Sequence, residues 1–182
     1  MTGPARDEVD ALLDAWRRER PDLDVAPMEV LSRISRLAHH LDRGRAAAFS
    51  AHGLEPWEFD VLAALRRSGA PYQLSPGQLL RETLVTSGTM TNRVDRLVAR
   101  DLVNRDDHPG DRRGVLVRLT PKGEAAVRDV NPLLRRVNDC LFRNVSREDF
   151  AVLARFLSTF ALNTENATAE IRRAERERTA RG

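Results

Sequence analysis

Apolar residues recur at helical spacing along most of the chain. They repeat at steps of three and four over residues 9–16 and stop before Pro21, which predicts a short amphipathic helix. A longer apolar stripe over residues 28–49 predicts a second helix. A third helix is predicted to begin at Glu55-Pro56, where proline suits the first turn, and to end at Ser68-Gly69.

Two short helices joined by a turn are predicted in the middle of the chain. A loop over residues 69–74 leads to Ser75-Pro76, a side-chain cap with a first-turn proline, so we expect a helix of about two turns. Thr86 or Ser87 can cap the next helix, whose apolar residues recur at steps of three and four from Met90 onward. The first residues of this helix are small and polar, and arginines occupy its outer side. This combination is typical of a helix-turn-helix.

A basic hairpin is predicted to follow. Residues 102–105 and 115–119 favour β-strands, and the segment between them contains Pro109 and Gly110, which supply turn chemistry. Arg112 and Arg113 lie near the tip of this hairpin, which has the pattern of a wing. Thr120, as a cap before a first-turn proline, then begins another helix.

The C-terminal part is predicted to form two helices, over residues 125–142 and 147–178. Pro132 interrupts the first, and the charged end of the second is expected to fray into solvent. Both helices carry apolar stripes that would leave a large apolar surface on a lone chain, so we expect a homodimer. The predicted fold is mainly α with a small β wing, a winged helix-turn-helix plus a helical dimerisation region.

This pattern divides the chain into three functional parts. Residues 1–54 are predicted to hold an extra N-terminal helix and part of the dimerisation region. Residues 55–123 are predicted to form the winged helix-turn-helix DNA-binding domain. Residues 124–182 are predicted to form the C-terminal dimerisation helices with a charged tail.

The residue composition argues against a disulfide-bonded protein, a metalloprotein and an enzyme. The single cysteine, Cys140, excludes an internal disulfide and a two-cysteine metal site, and its apolar neighbours favour a packing role over a redox role. The histidines lack metal-ligand spacing, and no nucleophile–base pair or phosphate-cradling glycine loop is visible. We therefore expect no metal, no cofactor and no enzymatic activity. No apolar run suits a membrane span and no export signal is visible, so a cytoplasmic location without a membrane partner is expected.

The polar helix start and the wing supply the candidate contacts to double-stranded DNA. Side chains at the start of a recognition helix reach base edges or phosphates in the major groove. Wing arginines reach phosphates or a narrow minor groove. The candidate DNA-binding residues are Ser75, Thr86, Ser87, Thr89, Thr91, Asn92, Arg93, Arg96, Arg112 and Arg113. The serines among them also suit helix caps, and an exposed helix arginine is often simply solvated. The net charge of +3 favours a polyanionic partner only weakly.

Residues 84–123 resemble the DNA-binding core of the MarR family. The wing motif of that family is Asp-Arg-Arg, a few apolar residues, then Leu-Thr-x-x-Gly, and the matching residues are Asp111, Arg112, Arg113, Leu119, Thr120 and Gly123. The resemblance extends over residues 28–165. It implies a homodimer with intertwined terminal helices, whose two recognition helices enter successive major grooves of a pseudo-palindromic site. It also implies a structural role for Asp111 and a DNA contact for Arg112 or Arg113.

The segment DALLDAWRRERPDLD resembles the PecS/UrtR branch of that family, whose members respond to urate or similar anionic aromatic ligands. The resemblance implies a ligand site at Trp16, Asp60, Arg93 and Arg105, although the histidine of some members has no clear match, His52 lying too early. The indole would stack on a planar anion, and arginine would neutralise it. Asp60 would need Arg93 or Arg105 as its cation. Alternatively, Trp16 is a core residue and Asp60 with Arg105 is a structural salt bridge.

The sequence thus predicts a ligand-responsive DNA-binding transcriptional regulator. We expect a repressor that binds a pseudo-palindromic operator as a homodimer and is released by a small anionic aromatic ligand such as urate. The alternative is an architectural DNA-binding protein with little sequence specificity, which would bind random and operator DNA alike. A purely structural helical protein would not explain the basic wing.

Overall fold

Helices account for most of the chain, as the apolar periodicity predicts. The computed structural model describes residues 6–83, 85–108 and 111–179. Its elements in chain order are α1 (Glu8–Glu19), α2 (Ala26–Ser50), α3 (Pro56–Arg67), β1 (Gln73–Leu74), α4 (Pro76–Thr83), α5 (Ser87–Ala99), β2 (Val103–His108), β3 (Asp111–Leu119), α6 (Pro121–Leu141) and α7 (Arg147–Thr179). The predicted fold class is confirmed. The chain divides into two units, one ending at Val137 and the other beginning at Asn138.

The extra helix α1 is fixed to α2 at its N-terminus. The Asp7 carboxylate accepts hydrogen bonds from the backbone N–H groups of Val9 and Asp10, at 2.8 and 3.1 Å, and the Asp10 side chain accepts from the Asp7 N–H in return. Arg33 of α2 donates to both carboxylates at 2.8 Å. Hydrogen bonds from Arg33, followed by those from the backbone, lower the pKa of Asp7. Val9 and Leu13 are buried beneath this contact.

The main core of the first unit lies around α3. Phe49 at the end of α2 stacks on Phe59 of α3 with ring centroids 4.6 Å apart. Leu62 and Leu65 of α3 are fully buried, and Leu97 of α5 packs into the same cluster. This core orients α4, α5 and the sheet against one central helix.

The sheet has three antiparallel strands in the order β1-β3-β2. The sequence predicted only a loop where β1 lies, because a strand of two residues shows no alternation; Gln73 pairs with Arg118, and Leu74 with Val117. β2 and β3 are longer than predicted, since most of the segment expected to form the turn is strand. The predicted turn residues Pro109 and Gly110 lie outside the described residues.

Two predictions about the C-terminal helices are wrong. α6 is continuous through Pro132, because Val130 and Leu134 on either side of it both pack on the core and keep the chain helical despite the missing N–H donor. The charged segment that was expected to fray remains helical as far as Thr179. In the described part of the chain, no helix combines the length and the apolar character needed to cross a bilayer.

Candidate nucleic-acid interface

Helix α4 begins with a reciprocal side-chain cap. The Ser75 hydroxyl accepts a hydrogen bond from the Gln78 backbone N–H at 3.3 Å, and the Ser75 N–H donates to Gln78 Oε1 at 2.8 Å. Ser75 is half-buried. This geometry supports the capping interpretation of Ser75, the first of the candidate DNA-binding residues.

The polar start of α5 faces solvent. Thr86 occupies the N-cap position in an extended conformation, but its hydroxyl lies 2.9 Å from the hydroxyl of Thr89 and does not cap the helix. Ser87 is the first helical residue, and its carbonyl accepts a hydrogen bond from the Thr91 hydroxyl at 3.3 Å. The predicted contact residues that are exposed here are Thr86, Ser87, Thr89, Thr91 and Asn92. Several hydroxyls and an amide are therefore available to base edges or phosphates.

Apolar residues hold the opposite side of α5 in the core. Met90, Val94 and Leu97 are each at most 1% exposed, and their spacing of four and three residues forms one stripe. The stripe fixes which residues of the helix face outward. The helix thus combines a buried anchor with a polar exposed start, as a recognition helix requires.

The arginines of α5 are engaged with the start of α3. The guanidinium groups of Arg93 and Arg96 lie 5.4 and 4.7 Å from the ring centroid of Trp57. Arg96 also donates to Glu55 Oε1 at 2.6 Å. The Trp57 indole N–H and then Arg96 lower the pKa of Glu55, because both donate to its carboxylate. Arg93 is half-buried, whereas Arg96 is exposed.

The sequence did not indicate that Glu55, Trp57 and Glu58 would contact arginines at the far end of α5. The local signal was present, because Glu55 and Glu58 form a capping box around the first turn of α3. The arginine partners lie more than forty residues further along the chain, at separations of 41 and 42 residues. Only the packing of α5 on α3 brings them together.

The hairpin is tied to the recognition helix. Arg105 of β2 pairs with Asp95 of α5 at 2.7 Å, and Arg118 of β3 pairs with Asp106 of β2 at the same distance. At the base of β3 the Thr120 hydroxyl donates to the Asp101 carbonyl at 2.8 Å. The side chains of Asp111, Arg112 and Arg113 lie outside the described part of the structure, and their roles stay predictions.

The four residues predicted to bind a ligand do not pair with one another as expected. Asp60 accepts a hydrogen bond from Arg45 of α2 at 2.8 Å, and within the described residues no salt bridge joins it to Arg93 or Arg105. The prediction that Arg93 or Arg105 would pair with Asp60 is therefore wrong, because the packing of α2 on α3 places Arg45 beside Asp60. The alternative Asp60–Arg105 salt bridge is wrong for the same reason. Trp16 is 40% exposed and is not a core residue.

The comparisons with known proteins agree with this geometry. Residues 52–114, from the loop after α2 into β3, match the model of the MarR family. The chain is 43% identical to the HTH-type transcriptional regulator PecS of Dickeya dadantii over 123 residues, covering 68% of this chain and 74% of PecS.

Two solved structures share the fold. One is a mutant of MarR from E. coli complexed with operator DNA, at 26% identity and a TM-score of 0.64, covering 80% of this chain and 96% of that one. The other is BpsR of Bordetella bronchiseptica, whose DNA binding is regulated by 6-hydroxynicotinic acid, at 26% identity and a TM-score of 0.52, covering 69% and 98%. With its recognition helix, its wing and its likeness to PecS, the chain belongs to the MarR family of winged helix-turn-helix transcriptional regulators.

Proposed function

We propose that the protein is a repressor that binds a pseudo-palindromic operator as a homodimer and leaves it when a small anionic aromatic ligand binds. The observation that carries the proposal is the recognition helix: α5 has a buried apolar stripe, an exposed polar start and a direct ion pair to the hairpin beside it. A helix anchored in this way can enter the major groove of DNA while the tip of the hairpin contacts the adjacent DNA backbone.

The proposed DNA contacts divide by chemistry. Thr89, Thr91 and Asn92 carry hydroxyl or amide groups that suit base edges, and Thr86 and Ser87 suit phosphates at the start of the helix. Arg112 and Arg113 would reach a phosphate or a narrow minor groove from the hairpin. Residues 55–123 would thus form the DNA-binding part.

Dimerisation would bury apolar side chains that the single chain exposes. Along α7 the apolar residues Phe150, Leu153, Phe156 and Leu157 are each more than 40% exposed. On α2, in the other unit, Leu31, Leu37 and Leu41 are exposed to a similar degree. Exposed apolar faces such as these, each taken by itself, mark interaction sites, and a second copy is the partner that a palindromic operator requires. Residues 1–54 and 124–182 would supply this interface.

The ligand would act on Arg105, the arginine that joins the hairpin to the recognition helix. Arg105 joins β2 to Asp95 of α5, so an anion that draws Arg105 away would loosen the hairpin from the helix. The exposed indole of Trp16 supplies a flat face for stacking an aromatic anion. The likeness to PecS and to the ligand-regulated BpsR supports this part of the proposal.

A footprint on the DNA upstream of the protein's own gene tests the function, with and without urate or 6-hydroxynicotinate. We expect protection of an inverted repeat that one of these anions abolishes. Uniform protection, with equal affinity for random DNA, would instead identify an architectural DNA-binding protein. A lack of protection together with no affinity for random duplexes at modest salt would refute DNA binding.

Thermal unfolding tests the ligand site. Urate or 6-hydroxynicotinate should raise the Tm of the wild type but not that of Trp16→Ala or Arg105→Ala. Arg67→Ala is the matched control, because Arg67 forms an exposed ion pair with Glu82, which is not a residue of the proposed site. Equal shifts in all four proteins would remove the case for these residues.

A further inference from the structure

Arg96 of α5 and Arg100, the C-cap residue directly after it, contact the first turn of α3 and the loop before it. The Glu55 carboxylate binds Arg96 through Oε1 and accepts the indole N–H of Trp57 through Oε2. The Arg96 guanidinium also lies over the indole ring, at 4.7 Å from its centroid. Arg96 therefore has both an ion pair and a stacking contact on the protein, and the planar guanidinium is suited to both at once.

The second contact lies at the C-cap of α5, four residues after Arg96. Arg100 donates to Glu58 Oε2 and to the Gly53 carbonyl, the latter at 2.7 Å. Glu58 is fully buried, and its Oε1 has no hydrogen-bond partner among the residues that the structure describes. Because a buried carboxylate needs its cation, this pair holds the end of α5 against α3.

Arg93, Arg96 and Arg100 follow one another at steps of three and four residues and so lie along one side of α5. All three engage the segment from Gly53 to Glu58. These three contacts together therefore fix the orientation of α5 relative to α3.

We propose that Glu55 and Trp57 are positioning residues for operator recognition: they retain Arg96 on the protein and so fix the angle at which α5 presents its polar start to DNA. The proposal rests on the proposed function and assigns to Arg96 a role different from the DNA contact expected from the sequence. Base readout depends on the angle of the helix, whereas phosphate contacts elsewhere do not.

The two roles of Arg96 predict different binding data. If Arg96 positions the helix, its loss lowers the preference for operator over random DNA and leaves the salt dependence unchanged. If Arg96 contacts a phosphate, its loss weakens both DNAs equally and reduces the slope of log K against log salt by about 0.9. The two measurements together separate positioning from contact.

The experiment measures the affinity of full-length Arg96→Gln, Glu55→Gln and Trp57→Leu for operator and random duplexes over a salt series. We expect the operator preference to fall by about tenfold, the cost of one mismatched base pair, with an unchanged salt slope. Trp57→Phe retains an aromatic face and should keep most of the preference. Arg67→Gln, which breaks an exposed ion pair outside α5, is the control and should match the wild type.

A double variant adds a test that general destabilisation would not pass. Glu55→Gln with Arg96→Gln should lose less preference than the two single losses added together, because both variants remove the Glu55–Arg96 contact. Any of three results would overturn the proposal. Arg96→Gln could show a shallower dependence of log K on log salt, or Glu55→Gln could bind DNA more tightly with a steeper salt dependence. The third is an unchanged preference for operator over random DNA in all variants. A wild type that prefers no duplex sequence would instead refute the proposed function itself.

Discussion

Replacing Gly123 by alanine should destabilise the DNA-binding part of the protein. A Cβ at this position would lie 2.1 Å from the Leu102 carbonyl oxygen and 3.1 Å from Leu119 Cδ2. The carbonyl cannot simply move away, because it accepts a hydrogen bond from the Thr120 N–H at 3.2 Å. The methyl group would therefore force α6 away from the base of the hairpin.

The magnitude follows from opposing contributions. Overpacking of this kind costs about 1–3 kcal/mol, and weakening the backbone hydrogen bond costs about 1 kcal/mol more. Alanine has a higher helix propensity than glycine, which offsets about 1 kcal/mol. We expect the free energy of unfolding to fall by about 2 kcal/mol, which is about 1 M in the urea midpoint.

Urea unfolding followed by circular dichroism, at one fixed protein concentration, measures this loss. Gly44→Ala is the matched control, since Gly44 lies within α2 and a Cβ there would meet nothing within 4 Å. That variant should be stabilised by up to about 1 kcal/mol. A Gly123→Ala midpoint at or above that of the wild type would refute the steric argument.

Three other predictions concern the core, the N-terminus and the dimer. Phe49→Ala should lower the free energy of unfolding by about 3–5 kcal/mol in the same assay, because it leaves a cavity beside Phe59; a loss below about 1 kcal/mol would contradict the stacked core. Because the Arg33 ion pair holds the pKa of Asp7 below 3.8, the stabilisation is complete above that pH and is lost as the pH falls through the native pKa. The Tm difference between wild type and Asp7→Asn should therefore shrink below pH 3.8, and a difference independent of pH would be the contrary result. Phe156→Asp should sediment as a monomer where the wild type is a dimer, and an intact dimer would exclude this face from the interface.

Most of the helices were predictable because their signals are local. The cap at Ser75 and the proline after Thr120 lie within a few residues of the helix starts that they mark. The strand β1 was not predictable, since Gln73 and Leu74 become a strand only by pairing with β3. Pro132 was misleading because the packing of Val130 and Leu134 outweighs the local effect of proline.

The partners of charged residues were the least predictable part of the site. The sequence identifies Asp60 as a carboxylate on an apolar helix that needs a cation, but many arginines are available. Asp60 pairs with Arg45 because of the way α2 packs on α3. Arg96 pairs with Glu55 because of the way α5 packs on α3. Such contacts follow from tertiary packing, which a local pattern does not encode.

Selection of bound duplexes from a random DNA pool tests the central claim most directly. We expect enrichment of an inverted repeat whose half-sites lie about one helical turn apart, matching two recognition helices in successive major grooves. A pool that binds but yields no common motif, or a protein that retains no duplex at modest salt, would contradict it.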